Sequence, residues 1–544
     1  MTYAPGHRPS LPAPPLVAVR RWPGRARGFG PEWRRWLLVL VLLVDCRQST
    51  AAPLFTPDGP AVRDFQLRVT DENARSLRAQ PRNYVRAELR VDGAPAREIG
   101  VHLKGATGSF RPFDDRPSLT LDLDRFRPGQ TLDGLTKLHL NNSVEDPSRL
   151  CELLGHELFA RASLPSPRVT HARVRLNGRD LGLYVLKEGF TAKFLQRAFP
   201  GAGGTLIEPQ PVAPGQTRWR LDARIGTNAT ANIDALLAAA ATPDLAARWD
   251  RLGDVLERTR FADLLAAEVL LAHRDGYALA GNNYRVFLAG DGRATFLPHG
   301  MDQLFAGPDL PLQPQFAGPI ARAFAETPAG RAAYADSLRR LRPQLLDVPA
   351  LTNRIAELAQ RLHPALAVRE WTEVRAGAAE LTDRVVRRGT SVDHSPAPAP
   401  LRWDETGTGR LEHWTAELAP AGAQLTPEVG PEQVAALRIL AGPKTTAAWR
   451  TTFELPPGRY RFTARVATRD VVPLPFGRNH GAALRLAGQD LRVGGLLGTQ
   501  SWRPLELEFA VAPAAPPVEL RLELRAAGGE VWFARDSLRL QRRP

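Results

Sequence analysis

Three short segments of this 544-residue chain carry side chains that could do chemistry together. His273-Arg274-Asp275-Gly276-Tyr277 supplies an acid, Asn282-Asn283-Tyr284 a pair of amides, and Pro298-His299-Gly300-Met301-Asp302 a second acid. Phosphoryl transfer asks for such a set. One carboxylate orients and deprotonates the attacking group, while a carboxylate and an amide hold a divalent cation against the phosphates. A helix-end cap is the structural alternative for Asp275; the company of Asn282, Asn283 and Asp302 favours the chemical role.

The cations point the same way. The formal charge is +15, and of the 72 Lys and Arg only five are Lys: Lys104, Lys137, Lys187, Lys193 and Lys444. Four of the five lie between residues 100 and 200. Where Arg is the default cation, a Lys can act as a compact point charge on a phosphate, although a solvated surface role fits any one of them equally well. Beyond the N-terminus there is no dense basic run and no aromatic-interleaved basic helix, so nucleic acid is not expected as a partner.

The elements that must position these groups follow from periodicity. From Phe65 onward the pattern is β, with Asp92-Gly93 and Asn177-Gly178 as hairpin turns. Asp146-Pro147-Ser148 opens a helix expected over 149–162, and 191–199 reads as another. Residues 230–273 and 317–392 have helical spacing, interrupted by one strand pair, 283–287 and 294–297, which the opening motifs flank. A β-rich lobe followed by a helical lobe is thus expected. The Pro-rich stretch 395–401 reads as a linker, and 402–544 as an all-β jelly-roll sandwich.

The N-terminus reads as an export leader. Arg34 and Arg35 precede the apolar run Trp36–Val44, which is too short to span a bilayer. Leu43-Val44-Asp45-Cys46 is similar to a lipobox, which would attach the chain to a membrane through Cys46; cleavage after Ala51 or Ala52 is the competing reading. Either places the protein outside the cytoplasm, at the cell surface, in the periplasm or secreted. Cys151, in an apolar-periodic run, is expected to be a buried small hydrophobe.

Taken together, several motifs resemble the spore-coat CotH kinase family: Lys104-Gly105-Ala106-Thr107-Gly108-Ser109-Phe110, Leu138-His139-Leu140-Asn141-Asn142, Asp146-Pro147-Ser148, Leu176-Asn177-Gly178, Gly182 to Glu188, and Asp275 through Asn282-Asn283-Tyr284 to Asp302. The resemblance covers roughly residues 65–390. It implies an atypical protein-kinase-like, two-lobed α+β domain (53–394, after a leader over 1–52) that transfers phosphate from ATP to protein Ser or Thr with Mg²⁺ or Mn²⁺. Asp275 then resembles the catalytic acid and Asp302 the metal-binding acid, with Asn282 or Asn283 as an auxiliary metal ligand. Gly105 to Ser109 would lie over the phosphates, or form a plain β-turn. Lys104 or Lys187 would contact the α/β-phosphates. Arg116 stands where many family members have Lys, and Glu188 would orient a lysine or reach the metal. Where the commoner family pattern is Trp-Asp-x-Asp, this chain has His299-Gly300-Met301-Asp302, with a single carboxylate.

Residues 402–544 are similar to galactose-binding-like or carbohydrate-binding jelly rolls, with Trp449, Tyr460, Trp502 and Trp532 as rings that could stack on a glycan or fill the core. Two other readings stand beside the exported Ser/Thr kinase: a non-catalytic surface adhesion protein, and a kinase of glycans.

Overall fold

A computed structural model describes residues 53–56, 61–106, 108–213, 216–226, 233–393, 401–417, 419, 422–475, 478–487, 491–512, 515 and 517–543. The leader with Cys46, and the Pro-rich stretch apart from Leu401, lie outside these residues.

The first half is built around a closed barrel of strands β1 (Val62–Arg68), β2 (Val85–Val91), β3 (Arg97–Lys104), β4 (Ser118–Asp122), β5 (Lys137–Asn141), β6 (Val169–Leu176) and β7 (Arg179–Glu188). The order is β1-β2-β3-β4-β5-β7-β6, closed by the parallel pair β1–β6. Alternation drives it. In β2 every second residue from Val85 to Val91 is buried, and Phe65, Leu67, Ile99, Leu121, Leu140 and Leu186 fill the interior. Both turns expected from the sequence have φ > 0 at both central residues: Asp92 and Gly93 at 49° and 75°, Asn177 and Gly178 at 50° and 80°. That is the twist a two-residue hairpin needs. Helix α1 (Asp71–Ala79) follows β1, capped by the Thr70 hydroxyl.

Between β5 and β6 runs α2 (Cys151–Arg161). It starts two residues later than the spacing predicts, because Asp146 folds the preceding segment into a knot. Its Oδ2 accepts from the Cys151 N–H at 2.9 Å and its Oδ1 from the Ser148 N–H at 3.1 Å. Cys151 is buried and unpaired, as its position in an apolar run predicts.

After α3 (Ala192–Ala198) come β8 (Gly204–Ala213) and β9 (Gln216–Ile225), then α4 (Ile233–Ala240), α5 (Leu245–Val255), α6 (Arg258–Leu270) and the one-turn α7 (Tyr277–Ala280). The expected strand pair is present as β10 (Tyr284–Ala289) and β11 (Ala294–Pro298). It is not isolated: β8 and β9 extend it into a four-stranded sheet of order β11-β10-β8-β9. Helices α8 (Pro319–Glu326), α9 (Pro328–Leu345), α10 (Val348–Leu362) and α11 (Val368–Asp393) pack with α2 and α6 around one apolar core. The fully buried Arg388 of α11 ties that bundle together. It donates to the carbonyls of Val269 and Leu270 at the end of α6, and to those of Pro308 and Leu310.

The last part is a two-sheet sandwich. Its strands are β12 (Thr408–Arg410), β13 (Thr415–Ala416), β14 (Gln424–Val429), β15 (Ala435–Leu440), β16 (Thr445–Phe453), β17 (Gly458–Val472), β18 (Gly481–Leu486), β19 (Leu491–Leu496), β20 (Gly498–Val511), β21 (Val518–Ala526), β22 (Gly528–Ala534) and β23 (Arg539–Arg543). One sheet has the order β12-β23-β17-β22-β15-β14, with β20 also on β17; the other is β13-β16-β21-β18-β19. Of the four rings that could stack on a glycan or fill the core, Trp449, Tyr460 and Trp532 are buried. Only Trp502 is half-exposed, beneath the Arg465 guanidinium.

Strand β21 alternates Val518, Leu520, Leu522 and Leu524 into the sandwich with Glu519, Arg521, Glu523 and Arg525 on the other face. Such a polar face would ordinarily meet water. Here Glu519, Arg521 and Glu523 are buried, because that face packs on the helical part. Arg521 donates to the side chain and the carbonyl of Asp309, Arg450 to the Ser391 hydroxyl, and Arg387 to the Thr446 carbonyl. Residues 52–544 accordingly form one compact unit.

Candidate functional site

Two walls face one another where the barrel meets the β10–β11 sheet. The barrel wall is cationic and tightly paired. Lys187, near the end of β7, places its Nζ 2.6 and 2.7 Å from the two carboxylate oxygens of Glu152 in the first turn of α2; both side chains are buried. Asn141 on β5 bridges to a second lysine: its Nδ2 donates to Glu152 Oε1 at 3.3 Å, and its Oδ1 accepts from Lys104 Nζ at 2.5 Å. Burial, and then the neighbouring Lys187, hold the Lys104 amine down to about 8. His139 and His299 lie in the same field. Burial, reinforced by Lys104, Lys187 and Arg285, pushes both imidazoles well below their ordinary range. His299 Nδ1 is buried and has no hydrogen-bond partner among the described residues.

The opposite wall carries the acids and amides on loops. Asp275 Oδ2 accepts from Asn283 Nδ2 at 2.6 Å and from Asn282 Nδ2 at 3.1 Å. The three residues therefore meet, and among the described residues no donor pairs with Asp275 Oδ1. The loop is held from behind. Glu268 accepts from the N–H groups of Tyr277 and Ala278, and His273 Nε2 lies 3.0 Å from the Gly300 carbonyl. Burial opposes the charged form of His273, but Glu268 at 3.6 Å and the Gly300 carbonyl outweigh it and hold its pKa above the ordinary value. His273 thus links the Asp275 loop to the Asp302 loop. Gly276 fits because a Cβ there would sit 2.5 Å from His273 Nδ1 and 2.8 Å from the Glu268 carboxylate.

Asp302 faces the lysine wall. Burial, then the charges of Glu152, Glu145 and Asp146, push its carboxyl up to about 7, with Lys187 pulling the other way. A carboxyl in that state gains from any added cation. Gly300 has φ +57°, and a Cβ there would lie 2.6 Å from Asn283 Oδ1. The Asn283 amide thus occupies the space beside the position where the commoner family pattern has a carboxylate.

The glycine loop runs beside this site. Gly105 and Gly108 have φ of +110° and +101°, Ser109 Oγ accepts from the Ala106 N–H at 3.1 Å, and a Cβ on Gly108 would touch Glu145. Glu145 in turn accepts from Gln303 at 2.7 Å, next to Asp302. The loop is a tight turn, and it lies against the segment carrying the second acid.

Two expected residues are corrected. Glu188 is fully buried in ion pairs with Arg168 and Arg197, so it neither orients a lysine nor reaches a metal. Adjacent strand residues point to opposite faces: Lys187 faces α2 while Glu188 faces away. Arg116 donates to the Leu181 and Leu183 carbonyls at 2.8 and 2.5 Å and lies over the Tyr184 ring, which makes it a brace for β7. Glu152 is the member that sequence reasoning passed over, and Asn141 stood only as part of a motif with no role assigned. A lone acid just after a helix-opening Asp-Pro-Ser was the available signal for Glu152.

Among the described residues no three or more His, Cys, Asp or Glu side chains are grouped to hold a metal ion. A divalent cation would rest on Asp302, on an amide oxygen of Asn282 or Asn283, and on phosphate oxygens and water, the ligand set that Mg²⁺ favours. The lysine wall, the raised Asp302 carboxyl and the unpartnered His299 nitrogen fit an anion with its cation.

Comparison with known proteins is consistent with a kinase-like chain. No curated protein matches it. Among solved structures, a CBM61 module in complex with β-1,4-galactotriose is 16% identical, covering 26% of this chain and 93% of that one at a TM-score of 0.19. The CBM22-1 xylan-binding domain of Paenibacillus barcinonensis Xyn10C is 10% identical, covering 26% and 97%, also at 0.19. Likenesses at that level do not establish a shared fold. The CotH kinase protein family model matches residues 101–386, more than half of the chain and all of the site just described; the chain belongs to the CotH kinase protein family.

Proposed function

We propose that this protein is an exported, ATP-dependent phosphotransferase that phosphorylates Ser or Thr of extracytoplasmic proteins. The Lys187–Glu152 pair facing Asp302, with Asp275 and its two amides beside it, carries this reading. In these terms the barrel and glycine loop form one lobe, the β8–β11 sheet and helices the other, and the kinase-like domain runs over 53–394, with the sandwich from 402.

Lys187 and Lys104 would neutralise the phosphates of ATP, and Glu152 would fix the Lys187 ammonium in place. Asp302, with Asn282 or Asn283, would hold Mg²⁺ or Mn²⁺, which when bound neutralises charge developing on the phosphates. Asp275 Oδ1 would accept the proton of the acceptor hydroxyl, while the Asn282 and Asn283 amides fix Oδ2. His273 positions both acids through Gly300. Around Glu519 and Arg521 the outer face of the five-stranded sheet is buried against the helical part, so that portion of the sandwich is closed to an adhesion partner.

Labelled ATP tests the proposal. With Mg²⁺ or Mn²⁺ the wild type incorporates label, and Asp275→Ala and Asp302→Ala do not. Labelling unchanged in either variant overturns the site assignment, and absence of nucleotide binding by the wild type overturns the kinase reading. Export, with Cys46 lipidated, is tested by cell fractionation with labelled palmitate; label retained in Cys46→Ala overturns that part.

A further inference from the structure

Asp275 also opens on its far side onto a cleft of about 1520 Å³ whose opposite wall is the sandwich. Arg274 and Asp275 form one edge, α11 the floor, and the outer faces of β18, β19 and β21 the far side, through Arg485, Arg492 and Arg525. The segment after Asp302 is held to that wall where Arg521 grips Asp309.

The charge here is not balanced locally. Arg485 and Arg492 share a single acid, Glu523, at 2.9 and 3.0 Å. Among the described residues Arg274, Arg384 and Arg525 form no ion pair, and the Nε atoms of Arg384 and Arg525 are buried without a hydrogen-bond partner. Burial, together with the nearby Arg274, Arg485 and Arg492, lowers the Arg525 guanidinium against the pull of Glu523. Other acids line the cleft, at Asp309, Glu326, Glu373, Glu380 and Asp383; Asp309, Glu326 and Glu373 pair with Arg521, Arg248 and Arg369 instead, and among the described residues none of the five forms an ion pair with this cluster. Guanidinium forks left in this condition match carboxylates, which they bind in pairs of hydrogen bonds. Among the described residues the aromatic rings lining the cleft are Phe316 and Tyr334, and both are buried, so neither presents the open flat face on which a neutral sugar would stack.

We propose that this cleft is the acceptor site and that it selects a Ser or Thr lying in an acidic segment of a protein, whose carboxylates pair with Arg274, Arg485 and Arg525. The proposal rests on the reading of Asp275 as the proton acceptor. In the transfer, the acceptor oxygen bonds to the γ-phosphorus as the bond from that phosphorus to the β–γ bridging oxygen breaks. The electron pair leaves with ADP, and the hydroxyl proton passes to Asp275. The sandwich would thus complete the acceptor site rather than serve as a separate binding module.

Fluorescence anisotropy with two labelled Ser peptides, one flanked by Glu and Asp and one by Lys and Arg, tests this without ATP. The purified protein should bind the acidic peptide on the order of tenfold tighter, with the preference weakening as salt rises. Arg525→Glu and Arg274→Glu should each abolish the preference at an unchanged melting temperature, and Arg525→Lys should keep most of it. Equal or reversed preference, or indifference to both reversals in folded protein, overturns the acidic-acceptor assignment. So does a polygalacturonate oligosaccharide that binds in this cleft where the acidic peptide does not. A transfer assay on the same peptides separates the two levels. Phosphorylation of the basic peptide in preference keeps the kinase and removes this cleft's role; tight acidic binding with no transfer to any peptide removes the kinase reading on which the acceptor role rests.

Discussion

The two walls of the site are built on opposite plans. On the barrel wall each charge is locked by another element: Lys187 by Glu152 of α2, and Lys104 through Asn141 of β5. On the facing wall Asp275, Asn282, Asn283 and Asp302 all sit on loops, positioned by buried groups behind them such as Glu268 and His273. On the proposed function the contrast would separate binding from chemistry. Cations locked by other elements would suit a fixed polyanion, and loop-borne acids and amides with lone pairs to spare would suit the exchange of protons or cations.

The largest effect should come from breaking the loop wall. Asp275→Ala should lower phosphate transfer by roughly 10²–10⁴-fold, the range for loss of a general base, while the melting temperature stays near that of the wild type. The barrel wall should break differently. Lys187→Met leaves the Glu152 carboxylate buried without its partner and should cost about 3–5 kcal/mol of stability in urea unfolding. The double variant Lys187→Met with Glu152→Leu should regain much of that loss, because an apolar pair replaces a half-broken ionic one.

A pH titration sharpens the comparison. The Asp302 carboxyl lies at about 7 in the folded protein against an ordinary 3.8. The folded state therefore binds the extra proton between these values, and stability falls as pH rises across that window. Lys104 lies at about 8 against 10.5. There the unfolded state binds the extra proton, so stability rises with pH between those values. Asp302→Asn should remove the lower slope and leave the upper one, as read from denaturant midpoints. The smallest effect is expected at Gly300, where Ala must adopt φ near +57° and crowd Asn283. Thermal unfolding should report a loss of roughly 1–3 kcal/mol.

The loop wall was the legible one, because acids and amides close in sequence meet after a single hairpin, and Asn282 and Asn283 reach back only seven and eight residues to Asp275. The barrel hairpins were legible for the same local reason, since Asn177-Gly178 fixes its own turn. On the barrel wall Lys104 and Lys187 were legible as cations, but the partners that hold them were not. Lys187 and Glu152 are 35 residues apart, and their meeting depends on how α2 docks on β7. For Glu188 and Arg116 charge type alone misled: the facing of β7 sent Glu188 to two arginines, and two backbone carbonyls took up Arg116. The outer face of β21 shows the limit of alternation, because Glu519, Arg521 and Glu523 are as buried as its apolar residues once a second element covers them.

Calorimetric titration of ATP with and without Mg²⁺ tests the division of roles between the two acids most directly. Wild type and Asp275→Asn should both bind ATP tighter with Mg²⁺, whereas Asp302→Asn should bind with the same affinity whether or not Mg²⁺ is present. An Asp302→Asn protein that keeps the full Mg²⁺ enhancement, or an Asp275→Asn protein that loses it, would contradict the account.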